Sequence, residues 1–346
     1  MLKNILKYIR PFVLLISLVS LVSCGFLGNR SPSPILTPPP FDPNPTLYSV
    51  YMLSASEGWA VGGTFVVNTR INDKAVHVNP KNGTILHYSG GKWTDKLVSE
   101  PLFSVSVDST KDGWAVGYEG AMFHYDGNTW TAISSPTGAI LRSVYMLSAK
   151  DGWVVGYGGT ILHYDGHSWK AVASPTNTNL RSVSLISPKE GWAVGDDGTI
   201  LHYIGAKWAL VSSPTSNTLN SVFMLSKTEG WAVGENSPDN ATLLHYSGGG
   251  WTLVNSPYIS SLYGVFMSSQ SEGWIATTAG NILHYSEGAW TYQEDRSDSA
   301  YDLHSVYMIS PNEGWAVGQE DLIRHYQNGK WSTYSVLQRI QGANGS

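Results

Sequence analysis

The chain has 346 residues, 42% of them hydrophobic, and a formal net charge of −5. Its single cysteine excludes a disulfide framework, and the acidic balance argues against a nucleic-acid partner, because phosphate binding needs a basic face.

At the N-terminus, Lys3, Lys7 and Arg10 precede an apolar run from Phe12 to Val22, short for a bilayer span and flanked as a secretory signal is. The run ends Leu21-Val22-Ser23-Cys24, which resembles the lipobox of bacterial lipoproteins. That resemblance implies cleavage before Cys24, a lipid on its thiol and an extracytoplasmic, membrane-anchored protein; an ordinary signal peptide is the alternative. Loss of residues 1–23 leaves 18 basic and 26 acidic residues, a net charge of −8. Residues 24–46 follow as a proline-rich linker, extended at about 3.1 Å per residue, and 337–346 form a short tail.

Between them, 47–336 is a repeat. EGWAVG or a near copy recurs with ILHY and a second tryptophan, and the pairs account for all 14 tryptophans. The leading members, Trp59, Trp114, Trp153, Trp192, Trp231, Trp274 and Trp315, advance by 55, 39, 39, 39, 43 and 41 residues. A period near 40 with several short β-patterns per copy predicts an all-β fold, a seven-bladed β-propeller of four-stranded antiparallel blades. In the third copy the strands are SVYML, GWVVG, TILHY and SWKAV, denoted A to D, separated by turn residues. No strand is left over for an exchanged closure, so closure relies on packing the last blade on the first unless the proline-rich arm contributes a strand, which its missing amide donors disfavour.

The runs GWAVG, GTILHY and DGNTW (Asp126–Trp130) or DGHSW (Asp165–Trp169) resemble the propellers of the photosystem II stability and assembly factor family, and the related Asp-box repeats. The resemblance spans about Leu47 to Val336 and implies the propeller fold. Only Asp126 and Asp165 keep the turn aspartate of that pattern; Ser89, Ile204, Ser247, Ser286 and Gln327 replace it elsewhere.

Residues shared by all copies are explained by the fold. The strand-B tryptophans are inter-blade packing residues, with a sugar cradle as the sharper alternative. One histidine per strand C, from His87 to His325, cannot converge on a single ion from separate blades, which favours hydrogen-bonded structural histidines. The acid before each GW, such as Glu57 or Asp112, reads as a turn acceptor, with a cation or basic-partner site as the alternative. Differences between copies are more informative. The position after the first leucine of strand A reads Tyr48, Phe103, Arg142, Arg181, Asn220, Tyr263 and His304, and topology places these around the top of the central channel. Blades six, seven, one and two supply aromatic or imidazole groups, and blades three to five Arg, Arg and Asn. Insertions in the B–C connections of blade one (with Arg70 and Lys74) and blade five (with Asp239) rise on the same face. This mouth is the candidate binding surface; solvated loop variation is the alternative.

Three functions compete: a membrane-tethered, non-catalytic scaffold binding a protein partner, a lectin binding a glycan, and a sialidase-type hydrolase. The hydrolase needs several converging arginines with a tyrosine and acid pair, and the sequence assigns only Arg142 and Arg181. No phosphate loop, dinucleotide fingerprint or metal-ligand cluster is recognisable, so no cofactor is expected.

Overall fold

A computed structural model of the chain describes residues 44–68, 77–236, 240–293 and 300–334, excepting the side chains of 66–68 and 77–81. The leader, Cys24, the linker up to residue 43, Arg70, Lys74, Asp239 and the tail from 337 lie outside the described residues. Among the described residues no helix is long and apolar enough to cross a membrane.

The strands form seven four-stranded antiparallel sheets, each in sequential order A-B-C-D, with no strand exchanged between blades among the described residues. The A strands are Thr46–Ser54, Leu102–Ser109, Leu141–Ser148, Leu180–Ser187, Leu219–Met224, Leu262–Ser269 and Leu303–Ser310. Each lies beside the A strand of the next blade, and the last beside the first, so the A strands form the inner ring.

Because a blade is buried on both faces, the apolar residues of strands B and C run continuously rather than alternating. The core is divided among the seams between blades. Trp114, Val116 and Met122 of blade two, for example, pack on Leu141, Val144 and Trp169 of blade three. In most seams the strand-B tryptophan of one blade meets the strand-D tryptophan of the next edge to face, with centroids 5.3 Å apart for Trp114 and Trp169 and 5.5 Å for Trp153 and Trp208. Such a pair adds about 0.5–1.5 kcal/mol beyond area burial. The packing role expected for these tryptophans is therefore what they have.

The ring closes with the same contacts. Trp315 of blade seven meets Trp93 of blade one at 5.4 Å and Tyr88 at 4.8 Å. The linker's end adds a single backbone bond across the closure, the Asp321 amide donating to the Pro45 carbonyl at 2.9 Å.

The acid before GW is not the turn acceptor it reads as. In every A–B turn a serine at the end of strand A accepts the amide two residues on, as Ser148 Oγ does from Lys150 at 3.2 Å. The acid instead receives Nε2 of the strand-C histidine of its own blade, at 2.6 Å for Glu57 and His87 and 2.7 Å for Asp112 and His124. The histidine lies on the strand-B tryptophan, with ring centroids 4.8 Å apart in blade one and 3.9 Å in blade seven. Blade four departs from this pattern. Glu190 is held by Lys227 of blade five at 2.9 Å, His202 Nε2 lies 3.8 Å away, and burial lowers the pKa of that imidazole.

The C–D turns fall into two kinds. Asp126 and Asp165 accept the amides two and three residues on, as an aspartate in a tight turn does. Where the aspartate is missing, two successive residues take positive φ, such as Gly205 (61°) and Ala206 (66°), which is the hairpin geometry that follows strand twist.

Candidate functional site

The seven variable positions owe their placement to a β-bulge. Leu47 pairs with Gly62 and Ser49 with Val61, so Tyr48 is left over between them. The same slip recurs at Phe103, Arg142, Arg181, Asn220, Tyr263 and His304. A bulge re-aims the extra side chain and ends regular pairing, which frees these residues from the seams. The leucine before each one anchors the turn and is fully buried.

The glycine facing that leucine is required by close approach, since its φ is extended. A Cβ on Gly117 would lie 2.0 Å from the Pro101 carbonyl oxygen. Blade six alone carries Thr277 there, with Oγ1 donating to the Asn281 carbonyl at 3.0 Å.

The residue after the variable position stitches the ring. Ser104 Oγ accepts the Val144 amide of the next blade at 3.1 Å. Ser49, Ser143, Ser182, Ser221 and Ser305 repeat the bond, the last across the closure to Val50 at 3.3 Å. Blade six breaks the ladder with Gly264. A Cβ there would lie 2.7 Å from the His304 carbonyl oxygen, so blades six and seven approach too closely for the serine.

All seven variable residues line one pit of about 230 Å³ at the top of the channel, together with the six serines and Glu235. They form a belt. Tyr263 meets His304 at 4.9 Å, His304 meets Tyr48 at 5.3 Å and Tyr48 meets Phe103 at 5.0 Å. The Arg142 guanidinium carbon lies 4.5 Å over the Phe103 ring, a cation–π geometry. Arg181 donates Nε to Asp196 and Nη1 to Asn220 at 3.2 Å, and Asn220 donates onward to the Leu262 carbonyl at 2.9 Å.

The two arginines differ. Arg181 is neutralised by Asp196, whereas Arg142 has no carboxylate partner among the described residues and its buried Nε has no hydrogen-bond partner. Burial lowers the pKa of Arg142, and the nearby Arg181 adds to that effect. Burial likewise pushes His304 down to about 4, with Asp302 opposing and Arg142 reinforcing the shift, so His304 is neutral at pH 7. Tyr263 donates its hydroxyl to Asp302 at 3.0 Å.

Below the pit the inner strands present a second aromatic layer. Phe223, Phe266, Tyr307 and Tyr51 contact in turn at 5.2, 4.8 and 4.9 Å. Outward from Arg181, a polar groove of about 530 Å³ runs past Asn179, Asp196, Asp197, Thr218 and Glu235. It shares Arg181 and Glu235 with the pit.

Sequence reasoning thus locates the ring but misses its partners. Asp196 and Asp302 fix Arg181 and Tyr263, and Phe65, at the base of the blade-one insertion, lies 6.2 Å from Phe103. That insertion is an antiparallel hairpin paired from Gly63–Gly83 out to Asn68–His77, with a register shift between Thr64 and Phe65. The available signal for the acids was positional: both stand beside the repeat's invariant leucine or the glycine that six blades share, where other blades carry different residues.

No protein-family model and no curated protein sequence matches the chain. Solved structures do. A structure titled YCF48 bound to D1 peptide superposes with a TM-score of 0.64 at 19% identity, over 83% of this chain and 93% of that one. YCF48 from Cyanidioschyzon merolae gives 0.63 at 15% identity, over 83% and 98%. The WD40 β-propeller domain of Doa1 gives 0.61 at 12% identity, over 82% and 93%. At the level of fold, the resemblance carried by the repeats holds: the chain has the seven-bladed architecture of the YCF48 photosystem II assembly-factor propellers.

Proposed function

We propose that this protein is a non-catalytic, protein-binding propeller that takes its partner at the top mouth, and that Cys24 carries a lipid holding it on the outer side of a bacterial membrane. The observation that carries the reading is convergence: the strand-A bulge residues, which vary from blade to blade, all line a single pit. Propeller neighbours of the same architecture, one of them solved with a peptide, support a peptide or protein as the class of ligand. A lectin with one equivalent site per blade fits less well, because the variable side chains share one cavity.

One observation favours a second reading. The Tyr263–Asp302 pair is the tyrosine and acid combination that a sialidase-type site requires. The mouth supplies two arginines to go with it, and Arg181 is already neutralised by Asp196. Release of a chromogenic sialoside by the purified protein would establish that reading; the scaffold reading predicts none.

The direct test is affinity capture with the full chain and with the Arg142→Ala, Arg181→Ala double variant. Loss of most captured partner with an unchanged melting temperature is expected. Equal capture by both proteins would contradict the mouth as the partner surface.

A further inference from the structure

The pit is a donor-rich cavity with a buried, unpaired cation. Each of the six ladder serines uses an oxygen lone pair to accept an amide from the next blade, which leaves its hydroxyl proton to donate. None has an acceptor for that proton among the described residues, and all six line the pit. Arg142 adds the charge, with a buried Nε lacking any partner and a guanidinium carbon 4.5 Å over the Phe103 ring. An unpaired buried cation is costly unless something offsets it. On one side the wall is an aromatic arc of Tyr48, Phe103, Tyr263 and the His304 ring, and opposite it stand Asn220 and the Asp196-paired Arg181. Glu235, the one carboxylate lining the pit, is an exposed side chain.

We infer that the pit is a binding site for a carboxylate carried on a flat apolar group, with Arg142 and the serine hydroxyls on the anion and the aromatic arc on the apolar body. This rests on the mouth being the binding face. At about 230 Å³ the pit admits one such group rather than a folded surface. The carboxylate therefore comes either from one side chain or terminus of the partner, or from a free small acid.

Benzoate and its neutral counterpart benzamide are the probes, titrated calorimetrically into the full chain. Benzoate is expected to bind, with benzamide at least about tenfold weaker, since charge-assisted hydrogen bonds are roughly twice as strong as neutral ones. Arg142→Gln is expected to weaken benzoate by about tenfold or more, and Arg142→Lys to keep part of the affinity. The ligand-free Arg142→Gln protein is also expected to melt no lower than wild type, because an uncompensated charge has been removed; a merely structural arginine would lower the melting temperature.

Equal binding of benzoate and benzamide, full benzoate affinity in Arg142→Gln, or no benzoate binding would each overturn the inference. If the Gln variant does not fold, the Lys variant decides: undiminished neutral-probe binding with no benzoate preference overturns it. Saturating benzoate added to the capture assay separates the two sources. Displacement assigns the carboxylate to the partner, and retention assigns it to a free acid. Absence of benzoate binding while the double-arginine variant still loses its partner would remove the carboxylate assignment and leave the mouth as the partner surface.

Discussion

His304 is the mouth residue at which stability and pH are most directly coupled. Its folded-state pKa, about 4, lies below the about 6.5 of an exposed imidazole, because burial disfavours the cation. The unfolded chain therefore takes up the proton first, and stability is lost as pH falls from about 6.5 toward about 4. The full shift amounts to about 3 kcal/mol. Replacing His304 by Phe keeps the ring contacts and removes the proton. Denaturant unfolding at pH 7 and pH 4.5 should show a markedly smaller acid loss in the variant, and parallel losses in both proteins would refute the burial account. At this scale the ring itself was legible in the sequence, because the repeat register exposes Tyr48, Phe103, Arg142 and their equivalents as exceptions. The pairings were not. Whether Arg181 meets Asp196, or Arg142 goes without a partner, depends on how each bulge turns its side chain, and no spacing rule carries that.

Among the elements, the A strands show how one serine organises a seam. The Ser-Val step occurs in six blades, and in the remaining one, blade six, Gly264 takes the serine's place. A consensus argument would replace Gly264 by Ser and expect a gain. The geometry predicts the reverse, since a Cβ would fall 2.7 Å from the His304 carbonyl oxygen and 3.1 Å from the Ser305 Cα, both backbone atoms. The expected cost is about 1–3 kcal/mol of overpacking, readable as a lower denaturant midpoint with unchanged slope. A higher midpoint would show that the seam between blades six and seven can widen. Strand identity and order were legible because turn residues punctuate every copy. The role of the acid before GW was misread because its partner, the strand-C histidine, lies 12 residues ahead in most blades and only sheet pairing brings the two together. The serine that does make the A–B turn sits three residues before the acid in each copy, and could have been found from that spacing.

For the whole molecule, the tryptophan period specifies the number of blades, and similar seams close the ring with no exchanged strand among the described residues. Because the seams bury equivalent positions from blade to blade, the scaffold contributes rigidity and little specificity. Specificity is left to the mouth, where the bulges release seven side chains from packing duty. That division is the central claim, and hydrogen exchange on the full chain with and without its captured partner tests it most directly. Protection is expected to rise at the starts of the A strands, around Tyr48, Phe103, Arg142, Arg181, Asn220, Tyr263 and His304, with the outer D strands unchanged. Protection confined to the D strands or to the lower turns would contradict it.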